Sequence, residues 1–137
     1  MTWALTDVRR FNHVLGKLIV RKEDDTHVRM RMFPTEMHSN LMDRVHGGVT
    51  LTLSDIALFS GARLLCGANV EHGVTLDLTC QFLGGGELNK PLDVVVELLR
   101  ETGRLVFLRG LIVQGAADEH KIAAFSGTIR KPSPPKT

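Results

Sequence analysis

The sequence has few aromatic residues, few cysteines and almost no net charge. Phe and Trp make up 5% of the 137 residues, Tyr is absent, and no CxxC spacing connects the two cysteines, Cys66 and Cys80. Two thiols in apolar surroundings predict reduced, buried side chains rather than a disulfide framework. The net charge of +2 is too small to indicate nucleic acid or an anionic membrane as a partner.

Long apolar runs and targeting features are also missing. Charged residues interrupt every apolar stretch before it reaches the ~20 residues that a membrane-spanning helix needs, so no membrane span is predicted. The first residues, MTWALTDVRRFNHV, lack a basic start followed by an apolar stretch, so no signal peptide is predicted. Together with two free thiols, these features indicate a cytoplasmic protein.

The histidines do not follow metal-ligand spacing. None of the six pairs with another as HxH or HxxxH, so the sequence predicts no metal site. They are His13, His27, His38, His46, His72 and His120.

Length and composition predict one globular domain that spans residues 1–137. The chain is long enough to bury a core and too short for two ordinary domains. Its 43% hydrophobic and 23% charged residues are typical of a folded globular chain. Neither an internal repeat nor a linker divides it.

Apolar periodicity predicts a short amphipathic helix, two strands, one long helix and then a four-strand meander. The long helix is apolar around most of its circumference, which is typical of a helix packed on nearly all sides. One antiparallel sheet wrapped around one central helix, an α+β architecture, accounts for this order. The predicted helices are 6–14 and 47–65, the predicted strands are 15–21, 27–33, 70–83, 92–100, 104–114 and 121–130, and a Pro-rich tail covers 132–137.

The long helix opens with His46-Gly47-Gly48. Glycines at a helix start let a ligand approach backbone N–H groups that have no partner within the helix. The helix dipole favours negative charge at the same place. This segment is either an anion or oxyanion site or a plain loop-to-helix transition.

Asp55 is the one acid among the apolar residues of this helix. An unpaired carboxylate in an apolar environment costs several kcal/mol, so such a group is paired, exposed or functional. Positions Leu51, Leu58 and Ala62 lie on the same helical side as Asp55, and they are apolar. This pattern favours a functional carboxylate over a solvent-facing stripe.

Spacing along the helix sets a condition on any joint role of Gly47 and Asp55. Eight residues separate them, or about 12 Å along an α-helix. An attacking group and an oxyanion donor must both lie about 3 Å from the atoms that they serve. If the two residues act together, we expect them to come from two copies of the chain, as in a dimer.

The segment N-L-M-D-R-V-H-G-G-V-T-L-T-L-S-D, from Asn40 to Asp55, resembles the hotdog-fold acyl-CoA thioesterases of the PaaI-like and thioesterase superfamily member 2-like type. Their pattern places Asn or Gln six residues before the His of HGG, and Asp or Glu eight residues after its first Gly. The resemblance continues through the segments G-V-T-L-D-L (73–78), L-R-E-T-G-R-L-V-F (99–107) and I-A-A-F-S-G-T (122–128).

This resemblance implies the hotdog fold and hydrolysis of an acyl-CoA to the free acid and coenzyme A. It implies that the Gly47 N–H holds the oxyanion and that Asp55 from the neighbouring chain acts as general base or as nucleophile. Asn40 would orient the carbonyl or the water, His46 would brace the loop, and Thr75 would help to position the water. The sequence leaves base and nucleophile as alternatives.

Acyl-CoA binding requires cationic contacts and an apolar pocket. Arg104 and Lys90 are the candidate cations for the phosphates, and Gly48 offers a second backbone N–H at the helix start. Phe59 is a candidate for the acyl pocket, and Leu58, Ala62 and Met42 are further candidates for its lining. Coenzyme A would enter as part of the substrate, and no separate cofactor is predicted.

Two other functions remain open at this stage. One is a hotdog dehydratase or hydratase, although its catalytic His motif is not visible. The other is a non-catalytic acyl-CoA-binding module, which would not need a carboxylate beside a thioester. For self-association we expect a dimer that pairs the strands at 70–83 edge to edge, alone or as a dimer of dimers.

Overall fold

The computed structural model of the chain describes residues 2–3, 8–67, 70 and 72–133. In this part of the chain, seven strands form one antiparallel sheet around a single α-helix. The strands are β1 (Thr2–Trp3), β2 (Leu18–Lys22), β3 (His27–Met32), β4 (Val74–Phe82), β5 (Leu92–Glu101), β6 (Leu105–Gln114) and β7 (His120–Arg130), and the helix is α1 (Gly47–Cys66). The predicted sheet around one long central helix is confirmed.

The helix α1 packs against one face of the sheet, where it contacts β2 to β7. Nine of its residues are buried: Thr50, Leu53, Ser54, Ile56, Ala57, Leu58, Ser60, Gly61 and Ala62. A Cβ at Gly61 would lie 2.9 Å from Val96 Cγ1 and 3.3 Å from Leu108 Cδ2. The absence of a side chain at Gly61 therefore lets the helix sit close to β5 and β6.

Length and composition alone would allow α1 to cross a membrane, because its mean hydropathy reaches 1.4 over 18 residues. Half of that window is buried inside the fold. This burial identifies α1 as the core helix of the sheet, and its apolar character is explained by packing on the strands.

The strand order in the sheet is β1-β2-β3-β5-β6-β7-β4. The predicted four-strand meander is therefore wrong for β4, which pairs with β7 and not with β5. The strand β5 pairs with both β3 and β6, and its residues Leu92, Val94 and Val96 are fully buried. A strand with so much apolar surface is more stable at the centre of a sheet than at its edge. The strand β5 therefore lies between β3 and β6, and it does not pair with β4, the strand before it in the sequence.

Three elements begin three to five residues later than predicted, and one of them is the strand predicted at 70–83, which begins at Val74. The predicted helix 6–14 is a 3-10 helix at Phe11–Leu15, and residues 6–7 lie outside the described residues. The first long strand begins at Leu18 rather than Leu15, because Gly16 adopts a φ of 68° and ends the 3-10 helix. Of the predicted tail 132–137, only 132–133 are described, without regular structure.

Gly127 on β7 provides a test of the packing between α1 and the sheet. A Cβ at this position would overlap Leu58 Cδ1 and would lie 2.9 Å from the Asp77 carbonyl oxygen. We expect Gly127→Ala to lower the free energy of unfolding by about 1–3 kcal/mol, measured by urea denaturation. Gly103→Ala is the matched control, since nothing lies within 4 Å of a Cβ there; equal stability of the two variants would contradict the packing.

Candidate active site

The start of α1 is built around the side chain and carbonyl of His46. Its Nδ1 accepts the Gly48 N–H at 2.8 Å, and its carbonyl oxygen accepts the N–H groups of Val49 at 2.9 Å and Thr50 at 3.1 Å. A Cβ at Gly48 would lie 3.0 Å from that Nδ1. The residue His46 is thus the N-cap of the helix, and Gly48 leaves room for its ring.

The Gly47 N–H differs from the three N–H groups that follow it. Those of residues 48–50 are bound to His46, whereas no acceptor for the Gly47 N–H lies within the described part of the chain. A Cβ at Gly47 would lie 3.5 Å from Cε1 of Phe82, whose side chain is 53% exposed. The helix therefore presents an N–H that has no acceptor among the described residues, beside an aromatic ring that sequence reasoning did not identify.

The side chain of Asn40 organises the loop before the helix. Its Oδ1 accepts the N–H groups of Met42 at 2.9 Å and Arg44 at 3.1 Å. Its backbone N–H donates to the Arg44 carbonyl at 2.8 Å, and Asp43 between them adopts a φ of 57°. Both side-chain bonds use the oxygen of the carboxamide, and no acceptor for its NH₂ group lies within the described part of the chain.

The loop Gly84–Gly86 supports the same segment from its other side. The Gly86 carbonyl accepts the Val45 N–H at 2.9 Å, and a Cβ at Gly86 would lie only 3.0 Å from Val45 Cγ2. The buried Gln114 side chain then holds the loop through bonds to both backbone groups of Glu87. The glycines of this loop therefore permit a close approach of its backbone to Val45.

Asp55 is half-buried on α1, and its carboxylate has a defined partner. The Thr75 hydroxyl on β4 donates to Asp55 Oδ1 at 2.7 Å. The helical side that carries Asp55 runs from Leu51, which is 41% exposed, to Leu58 and Ala62, which are fully buried. The carboxylate therefore lies at the boundary between the core and the open edge of the sheet.

A bulge in β4 brings Thr75 to this carboxylate. Thr75 pairs with Ile129 and Asp77 with Thr128, so Leu76 is an extra residue in the ladder. Simple alternation from Leu78 would turn Thr75 away from the helix. The bulge instead places it opposite Ile129, a fully buried residue on the helix face, because directly opposed residues share a face.

The two cysteines are free and half-buried. Burial raises the pKa of Cys80, and a hydrogen bond with Ser54 offsets only part of this rise. Burial, and next the contact with Glu101, raise the pKa of Cys66 to about 11. A raised thiol pKa opposes thiolate formation, so neither side chain has the properties of an activated nucleophile.

The two cations predicted to contact the phosphates of coenzyme A, Lys90 and Arg104, do not lie together in one chain. Lys90 forms an ion pair with Glu87 at 2.9 Å before the start of β5, and Arg104 follows its end. A ten-residue strand separates them, which is roughly 30 Å. One chain can therefore not bring both cations to the same phosphate.

The structure also differs from the prediction in which residues can line an acyl pocket. Leu58 and Ala62 are fully buried in the core, so they cannot line an accessible pocket in this chain. Phe59 is half-buried against the core, and Met42 is 80% exposed in the loop after Asn40. The Gly48 N–H already donates to His46, which leaves the Gly47 N–H as the free donor.

The site offers two chemical functions. An unpaired N–H at a helix N-terminus can stabilise an anion or an oxyanion. A carboxylate held in one orientation by a hydroxyl can act as a base or a nucleophile. Among the described residues, no group of three or more His, Cys, Asp or Glu side chains could hold a metal ion.

Comparison with known proteins gives a consistent family. The family model of the Thioesterase superfamily matches residues 42–119. Acyl-coenzyme A thioesterase 13 of Homo sapiens is 30% identical over 104 residues, which cover 76% of this chain and 73% of that protein. The residues matched by the family model include α1, β4, β5 and β6.

Three solved structures share the architecture. Thioesterase superfamily member 2 from Mus musculus has a TM-score of 0.74 and 22% identity, covering 88% of this chain and 86% of that one. A hypothetical thioesterase from Streptococcus pneumoniae, solved with coenzyme A, has a TM-score of 0.74 and 19% identity, covering 87% and 88%. The PaaI protein of E. coli has a TM-score of 0.70 and 21% identity, covering 83% and 82%.

The N-cap can be tested by substitution of His46. We expect His46→Ala to lower the free energy of unfolding by about 1 kcal/mol, because the Gly48 N–H loses its acceptor. His46→Asn should retain most of the stability, since Asn is a favourable N-cap residue. Thermal and urea denaturation measure both variants, and an Asn variant no more stable than the Ala variant would argue against a capping role.

Proposed function

The chain belongs to the thioesterase superfamily and is a thioester hydrolase with the PaaI-like hotdog fold, and from this premise we propose its substrate and its catalytic groups. The substrate is an acyl-CoA, which is hydrolysed to the free acid and coenzyme A. The carboxylate of Asp55 and the N–H of Gly47 are the two reacting groups of the protein. The hydrogen bond from Thr75 to Asp55 is the observation that carries this proposal.

The Gly47 N–H serves as the oxyanion donor. As a nucleophile adds to the thioester carbon, negative charge develops on the carbonyl oxygen, and a donor aimed at that oxygen stabilises the transition state. The absence of an acceptor for this N–H among the described residues supports the assignment. The NH₂ group of Asn40 is suited to orient the same oxygen or the attacking water.

Two routes use Asp55, and both are consistent with its surroundings. As a base, the carboxylate takes a proton from water while the water oxygen attacks, and the carbon–sulfur bond then breaks to release the thiolate. As a nucleophile, the carboxylate displaces the thiolate to form a mixed anhydride, which water then hydrolyses. In either route Thr75 orients Oδ1, and the thiolate of coenzyme A takes up a proton.

The site is shared between two copies of the chain in this proposal. Gly47 and Asp55 of one helix are about 12 Å apart along the axis, too far to serve one carbonyl group. The strand β4 supports the shared arrangement, since it lies at the sheet edge with exposed apolar side chains at Val74, Leu76 and Phe82. An exposed apolar edge strand is a natural surface for a second copy, in a dimer or a dimer of dimers.

Coenzyme A is part of the substrate in this proposal, and the reaction needs no further cofactor. The Streptococcus pneumoniae relative solved with coenzyme A supports acyl-CoA as the substrate class. Arg104 is the stronger candidate for a phosphate contact, because Lys90 already pairs with Glu87. A cytoplasmic location, where acyl-CoA substrates are available, completes the proposal.

Substitution of Asp55 tests the catalytic assignment. We expect Asp55→Ala and Asp55→Asn to lower kcat for a panel of acyl-CoAs by at least about a hundredfold, because the base or nucleophile is lost. Asp25→Asn is the matched control, since that carboxylate is fully exposed in the β2–β3 turn. An Asp55→Ala variant with parental kcat would refute the assignment, and a parent that binds acyl-CoA without turnover would indicate a binding module.

Mixed dimers test the shared site. Asp55→Ala and Asn40→Ala chains should each be inactive alone, yet their mixture should recover about a quarter of parental activity, because mixed dimers hold one complete site. Mass spectrometry of the native complex would establish that mixed dimers form. If they form and no activity returns, the two groups do not come from different chains.

A further inference from the structure

His38 is a buried ionisable side chain that the proposed reaction does not use. It is 3% exposed and ends the short 3-10 helix Glu36–His38. Both ring nitrogens are engaged: Nδ1 with the Thr35 N–H at 2.9 Å, and Nε2 with the Val14 carbonyl at 2.6 Å.

These partners define the protonation form of the ring. A backbone N–H can only donate and a carbonyl can only accept, so Nδ1 is the unprotonated acceptor and Nε2 carries the hydrogen. The ring is the neutral Nε2–H tautomer, and its two bonds join the 3-10 helix Phe11–Leu15 to the loop before α1. Because Nδ1 must accept a hydrogen bond and Nε2 must donate one, only one orientation of the ring satisfies both partners.

The backbone of the same residue reaches the cap of α1. The His38 carbonyl accepts the His46 N–H at 2.8 Å, and His46 Nδ1 in turn accepts the Gly48 N–H at 2.8 Å. A continuous path of hydrogen bonds therefore runs from Val14 through His38 and His46 to the helix start. The Gly47 N–H lies between the last two residues of this path.

We propose that His38 is a positioning residue, which fixes His46 and thereby the direction of the Gly47 N–H. The inference rests on the proposed oxyanion role of Gly47 in acyl-CoA hydrolysis. The ring of His38 is bonded to Val14 in the N-terminal segment, and the carbonyl of His38 accepts the N–H of His46, the N-cap residue. Loss of the ring bonds releases the carbonyl, lets His46 move, and misdirects the donor toward the developing negative charge.

Three substitutions separate the two ring bonds. In His38→Asn, the new side-chain amide lies near the position of Nδ1 and retains the Thr35 bond, whereas in His38→Gln it reaches the position of Nε2 and retains the bond to Val14. His38→Ala loses both. His120→Gln is the matched control, since His120 is an exposed histidine at the start of β7.

Steady-state kinetics with a hydrolysed acyl-CoA is the first measurement. We expect His38→Ala to lower kcat about tenfold or more with KM little changed, because a displaced donor weakens only transition-state binding. The Asn and Gln variants should each recover part of kcat. A residue with only a structural role would leave kcat of the folded fraction at the parental value.

Amide hydrogen exchange by NMR is the second measurement and does not depend on activity. We expect faster exchange at the Gly48 amide in His38→Ala, with unchanged exchange at Leu58 in the middle of α1. Uniform acceleration along the helix, or none at Gly48 together with parental kcat, overturns the inference. If the Ala variant does not fold, the Asn and Gln variants decide by the same two measurements.

The two readouts also separate this inference from the proposed function. A parent that hydrolyses acyl-CoA, with parental kcat and Gly48 exchange in every folded His38 variant, contradicts the positioning role and leaves the reaction intact. A parent without thioester hydrolysis contradicts the proposed substrate or groups. In that case the Gly48 exchange still decides whether His38 holds the cap.

Discussion

The imidazole of His46 binds the N–H of Gly48, and the rest of the site depends on this contact. The ring and the carbonyl of His46 together accept the N–H groups of residues 48–50, and among the described residues the Gly47 N–H has no acceptor. Capping by His46 provides acceptors for the N–H groups of residues 48–50 and leaves the Gly47 N–H unbonded to it. A capped helix start and an N–H without an acceptor among the described residues thus lie within two residues of each other, because the second glycine leaves room for the ring.

The site lies where the most buried and the most open parts of the fold meet. The helix α1 packs against one face of the sheet, and its side that carries Asp55 faces β4, the edge strand with exposed apolar side chains. Asp55 occupies this boundary, where its half-buried carboxylate accepts a hydrogen bond from the Thr75 hydroxyl. Buried deeper, the same group would lose hydration that a single hydroxyl does not replace.

Sequence patterns predicted much of this architecture. The apolar circumference of α1 and the strand patterns at 27–33, 92–100 and 104–114 reflect short-range physical chemistry, and all of these elements are found. The N-terminal helix was wrong in type, since the short segment Phe11–Leu15 is held by tertiary contacts rather than by helix propensity. The pairing of β4 with β7 was also missed, because strand adjacency depends on which apolar faces are buried together and not on order in the chain.

The sequence by itself determined the central helix, its glycine start, the lone acid on it and the family pattern that joins Asn40, His46, Gly47 and Asp55. Each of these is encoded within a few neighbouring residues. Only the tertiary structure decided that a bulge turns Thr75 toward Asp55, that Gly86 and His38 support the cap from opposite sides, and that Leu58 and Ala62 belong to the core. Those outcomes depend on strand register and long-range packing, and one extra residue in a ladder reverses the face that a side chain occupies.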